Sequence, residues 1–149
     1  MPLFETGDLF AAAEPGDFKV ITTNSFICND GRLAMGAGAA REAAHRHPFL
    51  ARHLGDQVTA TVGHLGMYGL LLATTAPVVA FQVKKHFEDP ASLTLLSISM
   101  NRLVMLTAAL PKRRFHLNYP GIGPGGLPMR QVAPLLERLP LNVTVWKLP

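Results

Sequence analysis

The chain has 149 residues, of which 48% are hydrophobic and 16% are charged, a balance that excludes a disordered protein. Its 13 glycines and 12 prolines exclude a helix bundle or coiled coil, and its length favours one domain over residues 1–149. The net charge of +4 suits an anionic ligand or a nucleic acid without identifying either. The single cysteine, Cys28, excludes an internal disulfide and a cysteine-based zinc cluster.

The distribution of apolar residues suggests neither an export signal nor a membrane-spanning helix. The first ten residues are acidic rather than basic and contain no apolar signal core. The longest apolar stretch, residues 66–83, is interrupted by Thr74, Thr75 and Pro77, which favours strands over a membrane helix. We therefore expect a cytoplasmic monomer that does not bind membranes.

Strands and helices alternate along the first half of the chain. A β-branched and aromatic run predicts a buried strand over residues 18–23. Alanines, with leucines at helical spacing, predict a helix over residues 39–53 that Pro48 breaks or kinks and Gly55 ends. Further strands, separated by turns at residues 63–66 and 75–77, are predicted over residues 58–62, 67–73 and 78–83.

The second half continues the alternation. Asp89 is the predicted N-cap of a long helix that opens at residues 90–92 and that Pro111 stops. The remaining predicted elements are a strand, a helix and a strand over residues 115–119, 129–139 and 143–148. This order predicts an α/β domain whose sheet is mostly parallel and buried on both faces.

Two glycine-rich loops, residues 35–40 and 120–126, each lie between a predicted strand and a predicted helix. Ligands of open α/β sheets bind at the carboxyl ends of strands, and glycines let backbone N–H groups approach phosphate oxygens. One such loop is as often a simple tight turn, but two in a small domain indicate a diphosphate held from both sides. Neither loop has the P-loop or Rossmann pattern.

The order of five short motifs resembles the macrodomain superfamily. They are Gly7-Asp8-Leu9-Phe10, Thr22-Thr23-Asn24, Met35-Gly36-Ala37-Gly38, Phe81-Gln82-Val83-Lys84-Lys85 and Pro120-Gly121-Ile122-Gly123-Pro124-Gly125-Gly126-Leu127. Within it the chain is similar to the terminal ADP-ribose protein glycohydrolases and to antitoxin macrodomains that remove ADP-ribose from DNA. The resemblance covers essentially the whole chain. It implies a three-layer α/β/α sandwich with a mixed, mostly parallel sheet, which binds ADP-ribose in a cleft and needs no cofactor.

The resemblance also implies roles for individual residues. Asp8, with the backbone of Leu9, is expected to contact adenine, and Asn24 to contact the distal ribose. The two loops are expected to hold the phosphates through Met35, Gly36, Ala37, Gly38 and Ala39 and through Gly123, Pro124, Gly125, Gly126 and Leu127. By residue type alone, Asp8 and Asn24 are as typical of turns and caps. Pro124 has no N–H, so the second loop has one donor fewer than its length suggests.

Lys84 takes the place of the nucleophilic lysine of the glycohydrolase branch. Strand alternation sends Lys84 and Lys85 to opposite sides, so the two cannot both enter one cleft. A partly desolvated lysine is a usable nucleophile toward the sugar C1″ and gives a Schiff-base-type intermediate. The alternative is a pair of solvated lysines that steer an anionic ligand.

One position departs from the resembled sequences, which carry an aspartate just after the second loop. This chain has Pro128 there, and proline neither accepts a proton nor orients a water. Residues that offer a replacement carboxylate are Asp30, Glu88 and Asp89.

Three functions remain open. Lys84 supports a hydrolase that reverses ADP-ribosylation of protein or nucleic acid, as in a DNA damage response, and this is the favoured reading. Pro128 supports a non-catalytic reader of ADP-ribose. A nucleic-acid-binding module, for which a solvated basic face is the simpler explanation, would use Lys112, Arg113, Arg114, Arg41, Arg46 and Arg52. The six histidines lack metal-ligand spacing, so we expect no metal.

Overall fold

The computed structural model describes residues 1–62 and 65–149. The strands in this part of the chain are Leu3–Thr6 (β1), Phe18–Thr23 (β2), Leu70–Leu72 (β3), Val78–Gln82 (β4), Phe115–Asn118 (β5) and Val143–Lys147 (β6). Its α-helices are Leu9–Ala12 (α1), Gly38–Arg46 (α2), Leu50–Val62 (α3), Leu93–Ala109 (α4) and Met129–Leu136 (α5). None of the described helices is both long and apolar enough to cross a bilayer.

The strands form one sheet in the order β1-β6-β5-β2-β4-β3. Every neighbouring pair is parallel except β3 and β4, which are antiparallel. The predicted mixed, mostly parallel sheet is therefore confirmed. Because β1, β2, β4 and β5 run in the same direction, the loops that follow them all leave the same edge of the sheet. We call this the carboxyl edge.

Hydrophobic side chains are buried on both faces of the sheet. Val20 and Ile21, adjacent in β2, are both fully buried, which is typical of a parallel strand covered on two sides. One core contains β2, β4, β5 and β6 residues together with α4 and α5 side chains, among them Leu96, Met100, Leu103, Val132 and Leu136. The other contains residues of α1, α2 and α3, among them Leu9, Phe10, Ala43, Leu54 and Val58. This is the predicted three-layer arrangement.

The predicted helix end at Gly55 and the predicted strand over residues 58–62 are wrong. Pro48 does break the helix, because α2 ends at Arg46 and α3 begins at Leu50. However, α3 continues through Gly55 to Val62. Gly55 is a glycine for a different reason: a Cβ there would lie 2.0 Å from the carbonyl oxygen of Gly31. Close packing of α3 on the loop after β2 thus requires it.

We expect Gly55→Ala to lower the free energy of unfolding by about 1–3 kcal/mol, the usual range for overpacking a tight interior. The clash is with backbone, which cannot rotate away, and it outweighs the roughly 1 kcal/mol by which alanine exceeds glycine in helix propensity. Urea denaturation measures the change. Thr61→Ala, at an exposed position of the same helix, is the control for helix propensity, since it removes no core contact and only the exposed bond from its hydroxyl to the Gln57 carbonyl. Equal or greater stability of Gly55→Ala would contradict the close packing.

Other boundaries also differ from the sequence prediction. Ser92, and not Asp89, caps α4, because its Oγ accepts a hydrogen bond from the N–H of Leu95 at 3.2 Å. Asp89 instead closes a turn by accepting from the N–H of His86 at 3.2 Å. The exposed strand β1 and the single-turn helix α1 were not predicted. Residues 63 and 64 of the predicted turn at 63–66, His64 among them, lie outside the described residues.

Candidate functional site

Every predicted site residue lies at the carboxyl edge of the sheet. Asp8 follows β1, Asn24 and the first glycine loop follow β2, Lys84 follows β4, and the second glycine loop follows β5. Backbone hydrogen bonds hold three of these segments together. The N–H of Ser25 donates to the carbonyl of Lys85 at 3.1 Å, and the N–H of Ala91 donates to that of Gly125 at 2.9 Å. The segment that begins at Asn24, the segment of residues 84–91 and the second loop are therefore neighbours.

Asp8 is the N-cap of α1. Its Oδ1 accepts a hydrogen bond from the N–H of Phe10 at 2.9 Å, and the residue is exposed. Leu9 and Phe10, in contrast, are buried in the core shared with α2 and α3. The cap fixes where the carboxylate stands while leaving it open to a ligand.

Asn24 is only 7% exposed and holds the start of the first loop. Its Nδ2 donates to the carbonyl of Ala34 at 3.1 Å, and its Oδ1 accepts from the N–H of Phe26 at 3.0 Å. These bonds are those of a turn-forming residue. The second hydrogen of its amide is left for another acceptor, so the contact with the distal ribose stays a prediction.

The first glycine loop presents open backbone. Met35 is buried and anchors it, whereas Gly36, Ala37 and Gly38 are exposed. A Cβ at Gly36 or Gly38 would meet no atom within 4 Å, so the space before the loop is empty of protein. Because α2 begins at Gly38, the N–H groups of its first turn, including that of Ala39, have no partner within the helix. Exposed N–H groups and the positive end of a helix dipole together favour an anion.

A hollow lies beside this loop. It has a volume of about 460 Å³ and is lined by Gly38, Arg41, Glu42 and His45. Arg41 therefore brings a positive charge next to the start of α2.

The second glycine loop is closed on itself. It contains a short 3-10 helix, Gly123–Gly125. The N–H groups of Gly125, Gly126 and Leu127 donate to carbonyls within the loop, at 3.3, 2.9 and 2.9 Å respectively. Pro124 has no N–H, and the exposed Gly123 has an N–H that makes no hydrogen bond within the loop and is open to a ligand. The loop thus offers fewer donors than its glycine content suggests. Pro128, which follows, precedes α5 without any side-chain cap.

Lys84 and Lys85 point in different directions, although β4 ends at Gln82 and the strand alternation expected from the sequence does not reach them. Lys84 is half-buried, and its Nζ donates to the carbonyls of Phe87 and Asp89, both at 3.3 Å. Lys85 is exposed, and its aliphatic stem runs beside Gly66. Neither lysine takes part in the ion pairs formed by residues 1–62 and 65–149.

The three carboxylates considered as replacements for the aspartate that the resemblance implies differ in placement. Asp89 lies in the turn that receives the Lys84 ammonium. Asp30 pairs with Arg32 at 3.6 Å in the segment before the first loop, and Glu88 is exposed. Asp89 is therefore the best placed of the three.

An aromatic cluster that the sequence did not predict stands next to Lys84. His86 stacks on Phe87 with ring centroids 4.2 Å apart. Phe26, from the segment after β2, meets the edges of both rings at 4.6 and 5.1 Å. Phe87 is 48% exposed, so the cluster presents an aromatic surface to solvent. The adjacent aromatic residues His86 and Phe87 are the feature of the sequence that could have indicated this cluster.

Two buried polar residues beneath the site were also missed. Tyr68 is fully buried, and burial raises the pKa of its phenol, which stays protonated and donates to the carbonyl of Asn24 at 2.7 Å. Its hydroxyl also contacts that of Thr23. Gln82, the last residue of β4, is completely buried and bonds to the backbone of Lys84.

The basic residues expected to bind nucleic acid do not form one surface, because Arg41 lies beside the first glycine loop and the cluster at residues 112–114 does not. Lys112, Arg113 and Arg114 immediately precede β5 and so lie at the opposite edge, around a hollow of about 290 Å³. Arg46 pairs with Glu42 at 2.9 Å. Arg52 donates to the carbonyl of Asp30 at 2.8 Å. In the described part of the chain, no three His, Cys, Asp or Glu side chains are grouped to hold a metal ion.

Solved structures provide the comparison with known proteins. No protein-family model matches the sequence, and a search of curated proteins finds no match. The macrodomain of Mycobacterium tuberculosis DarG is 19% identical with a TM-score of 0.72, over 98% of this chain and 97% of that one. The macrodomain of Thermus aquaticus DarG is 25% identical with a TM-score of 0.69, over 100% and 98%. Thermosipho africanus DarTG in complex with ADP-ribose is 18% identical with a TM-score of 0.73, over 99% of this chain but 42% of that one. The chain therefore has the macrodomain fold, as the order of its motifs predicts.

Proposed function

We propose that this protein binds ADP-ribose at the carboxyl edge of its sheet. The observation that carries the proposal is the first glycine loop. Its backbone is exposed, and the space beside Gly36 and Gly38 contains no protein atoms, which suits a diphosphate. The similar structure of Thermosipho africanus DarTG, which was solved with ADP-ribose, supports the same ligand.

Each part of the ligand has a proposed partner. The exposed carboxylate of Asp8, beside the Leu9 backbone, accepts from the adenine amino group. The N–H groups at the start of α2 and that of Gly123 hold the diphosphate. Asn24 contacts the distal ribose with the amide hydrogen that its turn leaves unused.

We also propose that the protein hydrolyses ADP-ribose from a modified macromolecule, with Lys84 as nucleophile. The amine, once deprotonated, forms a bond to C1″ while the bond from C1″ to the leaving group breaks, and the leaving group takes up a proton. The ribose ring then opens, with its ring oxygen taking up a proton, to give a Schiff base between Lys84 and C1″. Water adds to the C=N bond, the amine leaves, and ring closure gives ADP-ribose. Lys84 must first give up its bonds to the carbonyls of Phe87 and Asp89. The carboxylate of Asp89, in the same turn, is the proposed acid and base in place of the aspartate that Pro128 replaces.

The aromatic cluster of Phe26, His86 and Phe87 bears on the choice of substrate. Bases of single-stranded nucleic acids stack on exposed aromatic side chains. A modified base attached at C1″ would have such a surface beside Lys84. This supports ADP-ribosylated DNA as a test substrate alongside ADP-ribosylated acidic side chains.

A non-catalytic reader is the second candidate. Pro128 favours it because the second loop then carries no acid, and so do the two hydrogen bonds that occupy the Lys84 ammonium. A nucleic-acid-binding module gains no comparable support, since Lys112, Arg113 and Arg114 lie at the edge opposite the glycine loops.

Calorimetric titration of the wild-type protein with ADP-ribose tests the central proposal. We expect a Kd between about 1 μM and 1 mM, as befits a small and mostly polar site. Absence of binding by the folded protein would overturn it. Release of ADP-ribose from modified DNA or protein then separates the two candidates, because binding without release from any substrate replaces the hydrolase with the reader.

A further inference from the structure

We propose that Gln82 is a positioning residue for Lys84, an inference that rests on the proposed hydrolysis. Gln82 is 0% exposed and ends β4 two residues before the lysine. Its Nε2 donates to the carbonyl of Lys84 at 3.1 Å and to that of Gly66 at 2.8 Å. Its Oε1 accepts from the N–H groups of Tyr68 and Gly69 at 2.8 and 3.1 Å.

These four bonds fix the orientation of the amide. Two backbone donors face one end of the side chain and two carbonyl acceptors face the other, so a flipped amide would lose all four bonds. Each buried backbone group left without a partner is costly, so alternative positions of this side chain are disfavoured. The Gln82 side chain thus connects the turn at residues 66–69 to the backbone of Lys84 through four hydrogen bonds, and we call this connection the Gln82 bracket.

The backbone around Lys84 depends on this bracket. Val83 is held on both sides, because its N–H donates to the carbonyl of Thr23 at 3.0 Å and its carbonyl accepts from Ser92 at 2.7 Å. Lys84 comes next, beyond the end of β4, and the carbonyl of the following residue, Lys85, accepts from the N–H of Ser25 at 3.1 Å. The bond from Gln82 holds the carbonyl of Lys84 itself, between these two held neighbours, and so helps to set the direction in which its side chain leaves the backbone.

The same bracket reaches the other side of the site through Tyr68. Gln82 accepts from the Tyr68 backbone, while the Tyr68 hydroxyl donates to the carbonyl of Asn24 at 2.7 Å. The hydroxyl of Ser99, from α4, bonds to the carbonyl of Gln82 at 2.7 Å. A continuous buried chain of polar contacts thus links the nucleophile Lys84 to Asn24, the proposed ribose contact. None of Gln82 is exposed, so it acts through Lys84 and not on the substrate.

The test replaces Gln82 by methionine, which has similar length but neither donates nor accepts comparable bonds. We expect Gln82→Met to lower kcat by about 10- to 100-fold, since a misplacement of about 1 Å costs up to that much. The KM and the Kd for ADP-ribose should stay within about threefold of wild type, because the phosphate-binding backbone is untouched. The control is Leu103→Ala, a core substitution in α4 that also destabilises the protein but should leave kcat unchanged. Equal loss of kcat in both variants would overturn the proposal.

A second measurement does not depend on turnover. In protein with ¹³C-labelled lysine, the Lys84 side-chain NMR signal is identified by its absence from Lys84→Ala. We expect Gln82→Met to move this signal toward those of exposed lysines such as Lys112, and Leu103→Ala to leave it in place. An unmoved signal in folded Gln82→Met would refute positioning by Gln82.

If Gln82→Met does not fold, Gln82→Glu replaces it. This variant keeps the acceptor for Tyr68 and Gly69 but removes the NH₂ group. If the wild type releases no ADP-ribose, the proposed hydrolysis fails, and this NMR comparison still decides the role of Gln82.

Discussion

Lys84→Ala is expected to reduce release of ADP-ribose from modified DNA and protein by about 10³-fold or more, the scale of loss when a nucleophile is removed. The Kd for free ADP-ribose should stay within about threefold of wild type, because the first glycine loop and Asp8 do not depend on the lysine. The half-buried position of Lys84, beside the turn that contains Asp89, the proposed acid and base, motivates this expectation. Single-turnover assays on both substrates measure it.

Lys85→Ala is the matched control. Lys85 precedes His86 in the same segment, but its exposed side chain runs toward Gly66, away from the turn that receives Lys84. Turnover should therefore survive in Lys85→Ala. Borohydride should trap a covalent sugar adduct on the wild type and on Lys85→Ala but not on Lys84→Ala. Wild-type turnover by Lys84→Ala on either substrate would exclude the lysine mechanism.

The sequence predicts the sheet well because its central strands are continuous apolar runs, buried on both faces. It fails over residues 58–62, where Val58, Thr59 and Thr61 favour a strand by type. In the structure these residues are helical, since Val58 packs in the core, and the helix accommodates the threonines because their hydroxyls bond to carbonyls four residues earlier. Tertiary packing outweighs propensities that differ by less than about 1 kcal/mol per residue. Gly55 was wrongly predicted to end the helix because a tertiary contact, and not a helix end, requires glycine there. Its partner in that contact, Gly31, is distant in sequence.

The location of the candidate site is predictable because parallel strands bring their carboxyl ends to one edge. Its internal bonding is not predictable from the motifs. In the second loop, the N–H groups of Gly125, Gly126 and Leu127 bond to carbonyls of the loop itself. The loop passes through positive φ at Gly123 (64°) and Gly126 (78°), and its glycine pattern alone does not specify which N–H groups turn inward. Likewise, the bond from Gln82 to Gly66 joins residues 16 positions apart. Such partners emerge only from the assembled fold.

Gly36→Glu is expected to weaken ADP-ribose binding by about 100-fold or more. Two like charges about 4 Å apart near a protein surface repel by about 4 kcal/mol, and every 1.4 kcal/mol is a factor of ten in Kd. Gly36 is the sharpest position for this test because its φ is not positive and a Cβ there meets no protein atom within 4 Å. A side chain at Gly36 therefore enters the space proposed for phosphate without straining the backbone. This is not so at Gly38, where φ is 56°.

Two variants serve as controls for Gly36→Glu. Gly36→Ala should have the same urea midpoint as wild type and a smaller loss of affinity. Thr61→Glu, on the exposed face of α3, controls for added negative charge. Titration calorimetry on the three variants decides the matter: unchanged affinity in folded Gly36→Glu would place the diphosphate somewhere other than the first glycine loop.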